Sequence, residues 1–183
     1  MNQGRLEALL DRLTTRQQEH VAVALQSLED GLLTSSEFVA FVTSIVVSGN
    51  ARGYALGAAL ARSLIEQQVR APQITQPTPT GTRLDGTRVA GALGTILAAD
   101  QDTLMQLQRL AGNEAAQAAA DGQWDVLVTN PEVTDYERDL EADACGLCRW
   151  WAAESHKFSP TAKFPRHTGC RCGMSPITTK EKS

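Results

Sequence analysis

The sequence predicts an α+β fold: the N-terminal two thirds are mostly α-helical, and a small β-hairpin module follows. Three observations support this prediction. Alanine and leucine dominate the first two thirds of the 183 residues, and apolar residues recur there at helical spacing. All four cysteines lie between Cys145 and Cys172. At this length the chain can form one domain, or a small domain with an appendage, around a substantial core.

The first helices are predicted from apolar periodicity and from their end signals. Residues 5–30 carry apolar positions with a helical period, interrupted by a polar stretch at 14–20. Gly31 is expected to end this helix. The sequence TSSE at 34–37 predicts a capping box that opens a second helix. We expect the second helix to continue to Val69.

Composition divides the chain into three regions. Residues 1–70 are predicted to form a helical hairpin or bundle. Residues 71–86 contain three prolines and almost no apolar side chains, which is typical of a linker or an extended arm. Residues 87–183 are predicted to form an α+β module, which starts with helices over 87–99 and 102–120.

A β-hairpin is predicted after the last of these helices. The sequence WDVLVT at 124–129 alternates and is β-branched, which favours a strand. The sequence NPE at 130–132 is typical of a turn. The sequence VTDYERDLEAD at 133–143 is expected to run back as the second strand. This hairpin would lead the chain directly to Cys145.

The cysteines have the spacing of a metal site. Cys145 and Cys148 are separated by two residues, 18 residues lead to His167, and Cys170 and Cys172 follow at once. Two short hooks joined by a loop are how a tetrahedral zinc site is assembled, and zinc suits reduced thiolates. Five candidate ligands compete for four places. We expect the first three cysteines to bind, with His167 and Cys172 as alternatives for the fourth place.

Other interpretations of the cysteines are less favoured but stay open. They could form disulfides, or pack as free thiols. No signal peptide is predicted at the start of the chain, so we expect folding in a reducing cytoplasm, where structural disulfides are rare. The deaminase and metalloprotease signatures are absent from the sequence, and four protein ligands would close a zinc site to water. We therefore expect the chain not to be an enzyme.

Charge is distributed unevenly along the chain. The segment from Cys145 onward contains seven basic and two acidic residues, so its net charge is +5. Because the net charge of the whole chain is −4, the first 144 residues carry −9. A basic tip on an acidic body allows nucleic-acid contact, so a zinc-ribbon-type nucleic-acid-binding protein is the alternative function. The most apolar stretch, residues 38–47, is too short to span a membrane, so no membrane partner is expected.

The C-terminal sequence resembles a known family. YERDLEADACGLCRWWA at 136–152, followed by FPRHTGCRCGMSPI at 164–177, resembles the C-terminal part of the MuF-like minor head proteins of tailed bacteriophages. That family has a Cys-x-x-Cys entered from a polar strand, a variable loop, a closing Cys/His motif and a short exit strand. Thr168 stands where the family usually has a proline. The resemblance covers roughly residues 102–177, and its specific motif covers about 30 of them.

The resemblance implies a function in the phage head. By position, Cys145, Cys148, His167, Cys170 and Cys172 take the family's Cys/His places. A structural minor head protein is then expected, located in the capsid interior or at the portal vertex of the virion and assembled in the host cytoplasm. It would assist head assembly, genome packaging or ejection. Its expected partners are the portal protein, the major capsid protein, packaged DNA and further copies of itself.

Overall fold

A computed structural model of the protein describes residues 3–69, 84–99, 102–153, 156–162 and 164–179. The predicted linker at 71–86 falls outside these residues as far as position 83. In chain order the described elements are helices and two strands: α1 (Gln3–Glu29), α2 (Ser35–Gln68), α3 (Gly86–Ala98), α4 (Thr103–Thr129), β1 (Val133–Asp139), α5 (Gly146–Ala152) and β2 (Gly173–Thr178). The prediction of a mostly helical chain with a small antiparallel sheet near its C-terminus is confirmed.

The turn between α1 and α2 forms as its sequence predicts. Gly31 has a φ of +71°, a left-handed conformation that favours glycine after a helix. Thr34 caps α2: its hydroxyl accepts a hydrogen bond from the Glu37 N–H at 3.3 Å. The Glu37 carboxylate in turn accepts from the Thr34 N–H at 2.8 Å. This reciprocal pair satisfies two donors that the first helical turn leaves free.

The polar stretch at 14–20 does not interrupt α1. Thr14 and Gln17 are buried against the neighbouring helix, and the Gln17 side-chain amide donates to the Ile45 carbonyl at 3.3 Å. The burial of these two polar side chains therefore continues the packed face of α1 across the gap in its apolar pattern.

Helices α2 and α4 lie unusually close together because glycines face backbone at their crossing. A Cβ added at Gly57 would overlap the carbonyl oxygen of Ala119, and one added at Gly122 would overlap that of Tyr54. Side chains larger than hydrogen cannot occupy these positions without separating the helices. Glycine is thus tolerated inside two long helices because it allows their backbones to touch.

The predicted strand at 124–129 is wrong, because these residues form the last turns of α4. Gln123, Val126 and Leu127 are buried at helical spacing on the face that also buries Ala119. A short β-branched run fits either a strand or a buried helix, and here packing against α2 decides for the helix. The helix ends at Asn130, whose side chain accepts from the Glu132 N–H at 2.9 Å.

The second predicted strand is confirmed over residues 133–139, although its partner differs from the prediction. Strand β1 pairs antiparallel with β2, which follows the cysteines, with Tyr136 opposite Pro176 and Arg138 opposite Met174. The hairpin of adjacent segments is therefore replaced by a sheet between segments on either side of the cysteine-rich loop. The two strands close a loop of 33 residues, from 140 to 172, that contains all five candidate ligands.

One apolar cluster joins this sheet to the helices. It combines side chains from α2, α4 and both strands, including Tyr54, Ile65, Val126, Tyr136 and Met174. Two side chains of the loop at 156–164, Phe158 and Phe164, pack against the same cluster. Among the described helices, none is long and apolar enough to cross a membrane.

Candidate metal centre

The first two ligand candidates lie at the start of helix α5. Cys145 occupies the residue that precedes the helix, in an extended conformation, and Cys148 follows one turn later. Residues three apart on a helix share one face, so this spacing directs both thiols to the same side. Cys148 is buried and Cys145 is exposed. Gly146 is the first helical residue and does not have a positive φ.

The second hook is a turn held against helix α4. Gly169 has a φ of +79°, a left-handed conformation that favours glycine in this turn. The Cys170 N–H donates to the His167 carbonyl at 3.1 Å, which closes the turn. The Gly169 N–H donates to the Asn113 side chain at 2.9 Å. Asn113 thus anchors the second hook to the helical body.

The structure brings all five predicted donors into two overlapping groups. One consists of Cys145, Cys148 and His167, and the other of Cys148, Cys170 and Cys172; within each group the donor atoms lie within 4.8 Å of one another. These side chains could hold a metal ion. All four cysteines are free thiols in the structure.

The separations between donor atoms suit a small tetrahedral ion. His167 Nε2 lies 3.1 Å from Cys145 Sγ and 3.2 Å from Cys148 Sγ, and the sulfurs of Cys148 and Cys170 are 3.5 Å apart. With metal–sulfur bonds of about 2.3 Å, tetrahedral geometry separates two sulfurs by about 3.8 Å and sulfur from nitrogen by about 3.5 Å. Each pair therefore lies within about half an ångström of the separation that a bound metal requires.

The ring of His167 is oriented for ligation. Its Nδ1 lies 2.9 Å from the Thr168 carbonyl oxygen, which can only accept, so Nδ1 carries the proton. The lone pair of Nε2 is then directed at the two sulfurs of the first hook. A histidine that donates its second ring nitrogen to a backbone carbonyl is the usual arrangement of a metal ligand. This hydrogen bond also raises the pKa of His167.

The thiols differ in their protonation. A hydrogen bond from the Cys148 backbone N–H lowers the pKa of Cys145. The Cys172 thiol donates to Cys170; this bond lowers the pKa of Cys170 to about 4 and raises that of Cys172. Burial raises the pKa of Cys148 to about 11. Cys145 and Cys170 are therefore the thiols that lose their protons most readily, and the thiolate is the form of cysteine that binds metals.

The two tryptophans that follow the first hook have different surroundings. Trp151 stacks on the His167 ring, with centroids 6.3 Å apart and planes at 26°, and it packs against the buried cysteines. Trp151 thus lies against the candidate site. Trp150 is 68% exposed. His20 and His156 are both exposed as well.

The basic tip carries fewer free charges than its sequence suggests. Arg166 has its guanidinium buried, with one nitrogen donating to the carbonyls of Cys170 and Cys172 at 3.0 and 3.2 Å. Arg171 pairs with Asp11 of helix α1. Among the described residues of this segment, Arg149, Lys157 and Arg171 are exposed, and Arg171 is the one with a carboxylate partner; Lys163, Lys180 and Lys182 lie outside the described residues.

Two residues near the site were missed by the sequence analysis. Arg138 donates to two of the cysteines from strand β1, and Asn113 anchors the second hook from α4. The burial of Arg138 could have been predicted, because the strand period places it on the same face as buried Tyr136. No sequence pattern indicates the role of Asn113, since its partner lies 56 positions away in the chain.

Comparisons with protein-family models, with curated proteins and with solved structures found no match for this chain.

Proposed function

We propose that the cysteine/histidine cluster binds one structural Zn²⁺. The metal would hold the C-terminal module, which consists of β1, β2 and the loop between them, on the helical body formed by α1 to α4. The observation that carries the proposal is the convergence of His167 Nε2 on the sulfurs of Cys145 and Cys148, with Nδ1 held by a backbone carbonyl. Thiolate and imidazole donors favour zinc over hard cations such as Mg²⁺ and Ca²⁺. Four protein ligands would close the site, which suits a structural rather than a catalytic role.

The C-terminal module contains little regular structure, so a bound metal would add to its stability. Its regular elements are a two-stranded sheet and a seven-residue helix. A two-stranded sheet is marginally stable in water, and small modules of this kind gain stability from metals. Binding free energy becomes folding free energy when the ligands are brought together only in the folded state.

Metal content and thiol accessibility test this proposal together. Protein purified without chelator is expected to contain one Zn²⁺ per chain by elemental analysis. Its cysteines should react with a thiol reagent only slowly until a chelator is added. Thiols that react at the same rate before and after chelation, or purified protein without metal, would contradict the zinc proposal.

For the biological role, we propose that the protein is a structural minor head protein of a tailed phage. It would be located at the portal vertex or in the capsid interior. Support comes from the MuF-like motif and from strand β2, which begins directly after Cys172, as the resemblance to that family implies. The helical body also exposes Val23, Leu32 and Phe41 beside the α1–α2 turn, at 66, 75 and 50%. Exposed apolar groups of this kind suit docking on the portal or major capsid protein.

Virion composition tests the phage proposal. Mass spectrometry of purified particles should detect the protein at a few copies per portal, and deleting its gene should lower the yield of infectious particles. Complementation by the wild-type chain should restore infectivity, whereas a Cys148→Ser chain should not. Particles that lack the protein, or full infectivity after deletion, would contradict this proposal and leave the metal centre untouched.

The alternative, a nucleic-acid-binding zinc module, has less support from the described surface, because Arg166 is buried and Arg171 is paired. Titration of duplex DNA at several salt concentrations separates the two functions. A steep fall of affinity with salt would favour the alternative, since each phosphate contact contributes about −0.9 to the log–log slope. We expect no measurable binding at physiological salt.

A further inference from the structure

The side chain of Arg138 is buried beside the candidate metal centre. The residue is 7% exposed, and one guanidinium nitrogen lies 3.5 Å from Cys148 Sγ and 3.7 Å from Cys170 Sγ. A second nitrogen donates to the carbonyl of Pro165. The guanidinium carbon lies 4.0 Å from the ring centroid of Phe164 and 4.9 Å from that of Trp151. Two aromatic faces therefore hold a cation in direct contact with two sulfurs.

A buried guanidinium needs a compensating negative charge. Moving an unpaired charge from water into a protein interior is strongly unfavourable, and aromatic faces recover only part of this cost. Within the described part of the chain, no carboxylate forms an ion pair with Arg138. The negative charge that faces it is that of the sulfurs. The neighbouring Arg166 is also buried: burial lowers its pKa, while Cys170 and, to a smaller extent, Asp121 act in the opposite direction.

The charge of the metal centre depends on which four donors bind. Three thiolates and one neutral imidazole around a divalent ion carry one net negative charge, which a single arginine balances. Four thiolates carry two negative charges, which Arg138 and the buried Arg166 beside Cys170 would balance together, so charge alone does not decide between the two sets. Geometry favours the first set: His167 Nε2 lies 3.1 and 3.2 Å from the sulfurs of Cys145 and Cys148, and Cys148 Sγ lies 3.5 Å from Cys170 Sγ. Cys170 belongs to the other donor group, so its sulfur would move toward His167 when a metal binds.

From this juxtaposition we propose that Arg138 is a buried counter-cation of a metal centre whose ligands are Cys145, Cys148, His167 and Cys170. Cys172 is then a buried thiol outside the coordination sphere. The proposal rests on the proposed Zn²⁺ centre and adds its ligand set and its positioning residue. Arg138 does not touch the metal; it stabilises the thiolate form of Cys148 and Cys170 through two charge-assisted hydrogen bonds.

The ligand set is tested on the wild-type protein. X-ray absorption at the zinc edge is expected to show three sulfurs and one nitrogen around the metal. Cys172→Ala should retain one Zn²⁺ per chain, whereas His167→Ala should lose it. A sphere of four sulfurs, or loss of zinc from the Cys172 variant with retention by the His167 variant, would overturn the ligand set.

The role of Arg138 is tested by metal competition and by spectroscopy. In a chelator competition, Arg138→Met should bind Zn²⁺ about 10- to 100-fold more weakly, the range found for residues that hydrogen-bond to metal ligands. Arg138→Lys, which keeps the charge, should recover part of this loss. Arg149→Met, which removes an exposed cation from helix α5, is the matched control and should bind as the wild type does.

Cobalt provides a signature that a merely structural role of Arg138 would not produce. With Co²⁺ bound, removing hydrogen bonds from the thiolates should shift the sulfur-to-cobalt charge-transfer band to longer wavelength in Arg138→Met. Zinc affinity within twofold of wild type, or an unshifted band, would overturn the assignment of Arg138. Wild-type protein that binds neither Zn²⁺ nor Co²⁺ would instead overturn the metal centre itself. If Arg138→Met does not fold, Arg138→Lys decides: a smaller loss of zinc affinity together with a shifted band is expected there, and wild-type affinity with an unshifted band would overturn the assignment.

Discussion

The helical body and the cysteine-rich module are stabilised in different ways. In the body, long helices bury apolar side chains in continuous clusters, and glycines allow α2 and α4 to touch. The segment from Ala144 to Cys172 buries fewer apolar groups: its own cluster consists of Ala144 and three cysteines with Trp151 packed against it, and Phe158 and Phe164 pack on the cluster around Tyr136. The body therefore depends on area removed from water, and we propose that the module depends in addition on a bound metal.

The two-stranded sheet connects the cysteine-rich loop to the helical body at both ends of the loop. Strands β1 and β2 flank the loop and pack on α2 and α4 through the cluster around Tyr136. The Gln68 side-chain amide also donates to the Pro176 carbonyl at 2.9 Å, which ties β2 to the end of α2. The body thus fixes the two ends of the loop, and the proposed metal fixes its middle. The two regions should respond differently to substitution.

The largest expected effect is loss of the metal. Cys148 belongs to both donor groups, so Cys148→Ser should abolish stoichiometric zinc binding and release the module from order while α1–α4 stay folded. Amide hydrogen exchange is expected to rise in residues 144–172 and to change little in the helices. Leu147→Ala, a change of a half-exposed residue in the same helix, is the matched control and should bind zinc normally. Equal exchange in the two variants would contradict the division into two regions.

A large effect is also expected at the junction between the regions. Tyr136 is fully buried, stacks on Phe158 at 5.3 Å, meets Trp124 edge-on at 5.7 Å and donates its hydroxyl to the Ala162 carbonyl at 2.7 Å. Tyr136→Ala should lower the free energy of unfolding by about 3–5 kcal/mol, measured by chemical denaturation. Tyr136→Phe keeps the packing and should cost only about 1 kcal/mol. Similar losses for both variants would show that the hydroxyl, rather than the packing, is decisive.

A smaller effect is expected where the two long helices touch. Gly57→Ala should destabilise the body by about 1–3 kcal/mol, since the new methyl group meets backbone that cannot move freely. Gly91→Ala places the same methyl group in open space on helix α3 and should stabilise by about 0.5–1 kcal/mol through helix propensity. Thermal unfolding of both variants checks the contrast. A stabilising Gly57→Ala would show that α2 and α4 do not cross at this position.

The smallest expected effect concerns the cap of helix α2. Thr34→Ala removes the hydroxyl that accepts from the Glu37 N–H and should cost about 1 kcal/mol. Thr34→Ser keeps this acceptor and should unfold within a few tenths of a kcal/mol of the wild type, as judged by urea denaturation. A cost for the serine variant as large as that for alanine would assign the effect to the threonine methyl group.

The sequence predicted the local features of the fold better than the pairing of distant segments. Gly31 and the Thr34–Glu37 box act on their own neighbours, so they could be recognised from short stretches. The run at 124–129 could not be assigned, because its β-branched residues suit a strand and only burial against α2 makes them helical. The pairing of β1 with β2 joins segments 33 residues apart, and no local pattern specifies it.

The candidate site was predicted more completely than its surroundings. All five donors converge because the spacing of the two hooks already restricts where their side chains point. Asn113 could not be predicted, since its hydrogen bond joins positions 56 residues apart, whereas the strand period already placed Arg138 on the face of buried Tyr136. The orientation of the His167 ring is what favours one of the two ligand sets that the spacing leaves open.

The measurement that tests the central claim most directly is amide hydrogen exchange before and after zinc is removed by a chelator, combined with zinc analysis of the same samples. If the metal holds the C-terminal module, one Zn²⁺ per chain should be lost. Protection should then disappear from residues 144–172 and persist in α2 and α4. Protection of residues 144–172 that is unchanged by the chelator would show that packing alone holds the module, and would contradict the account.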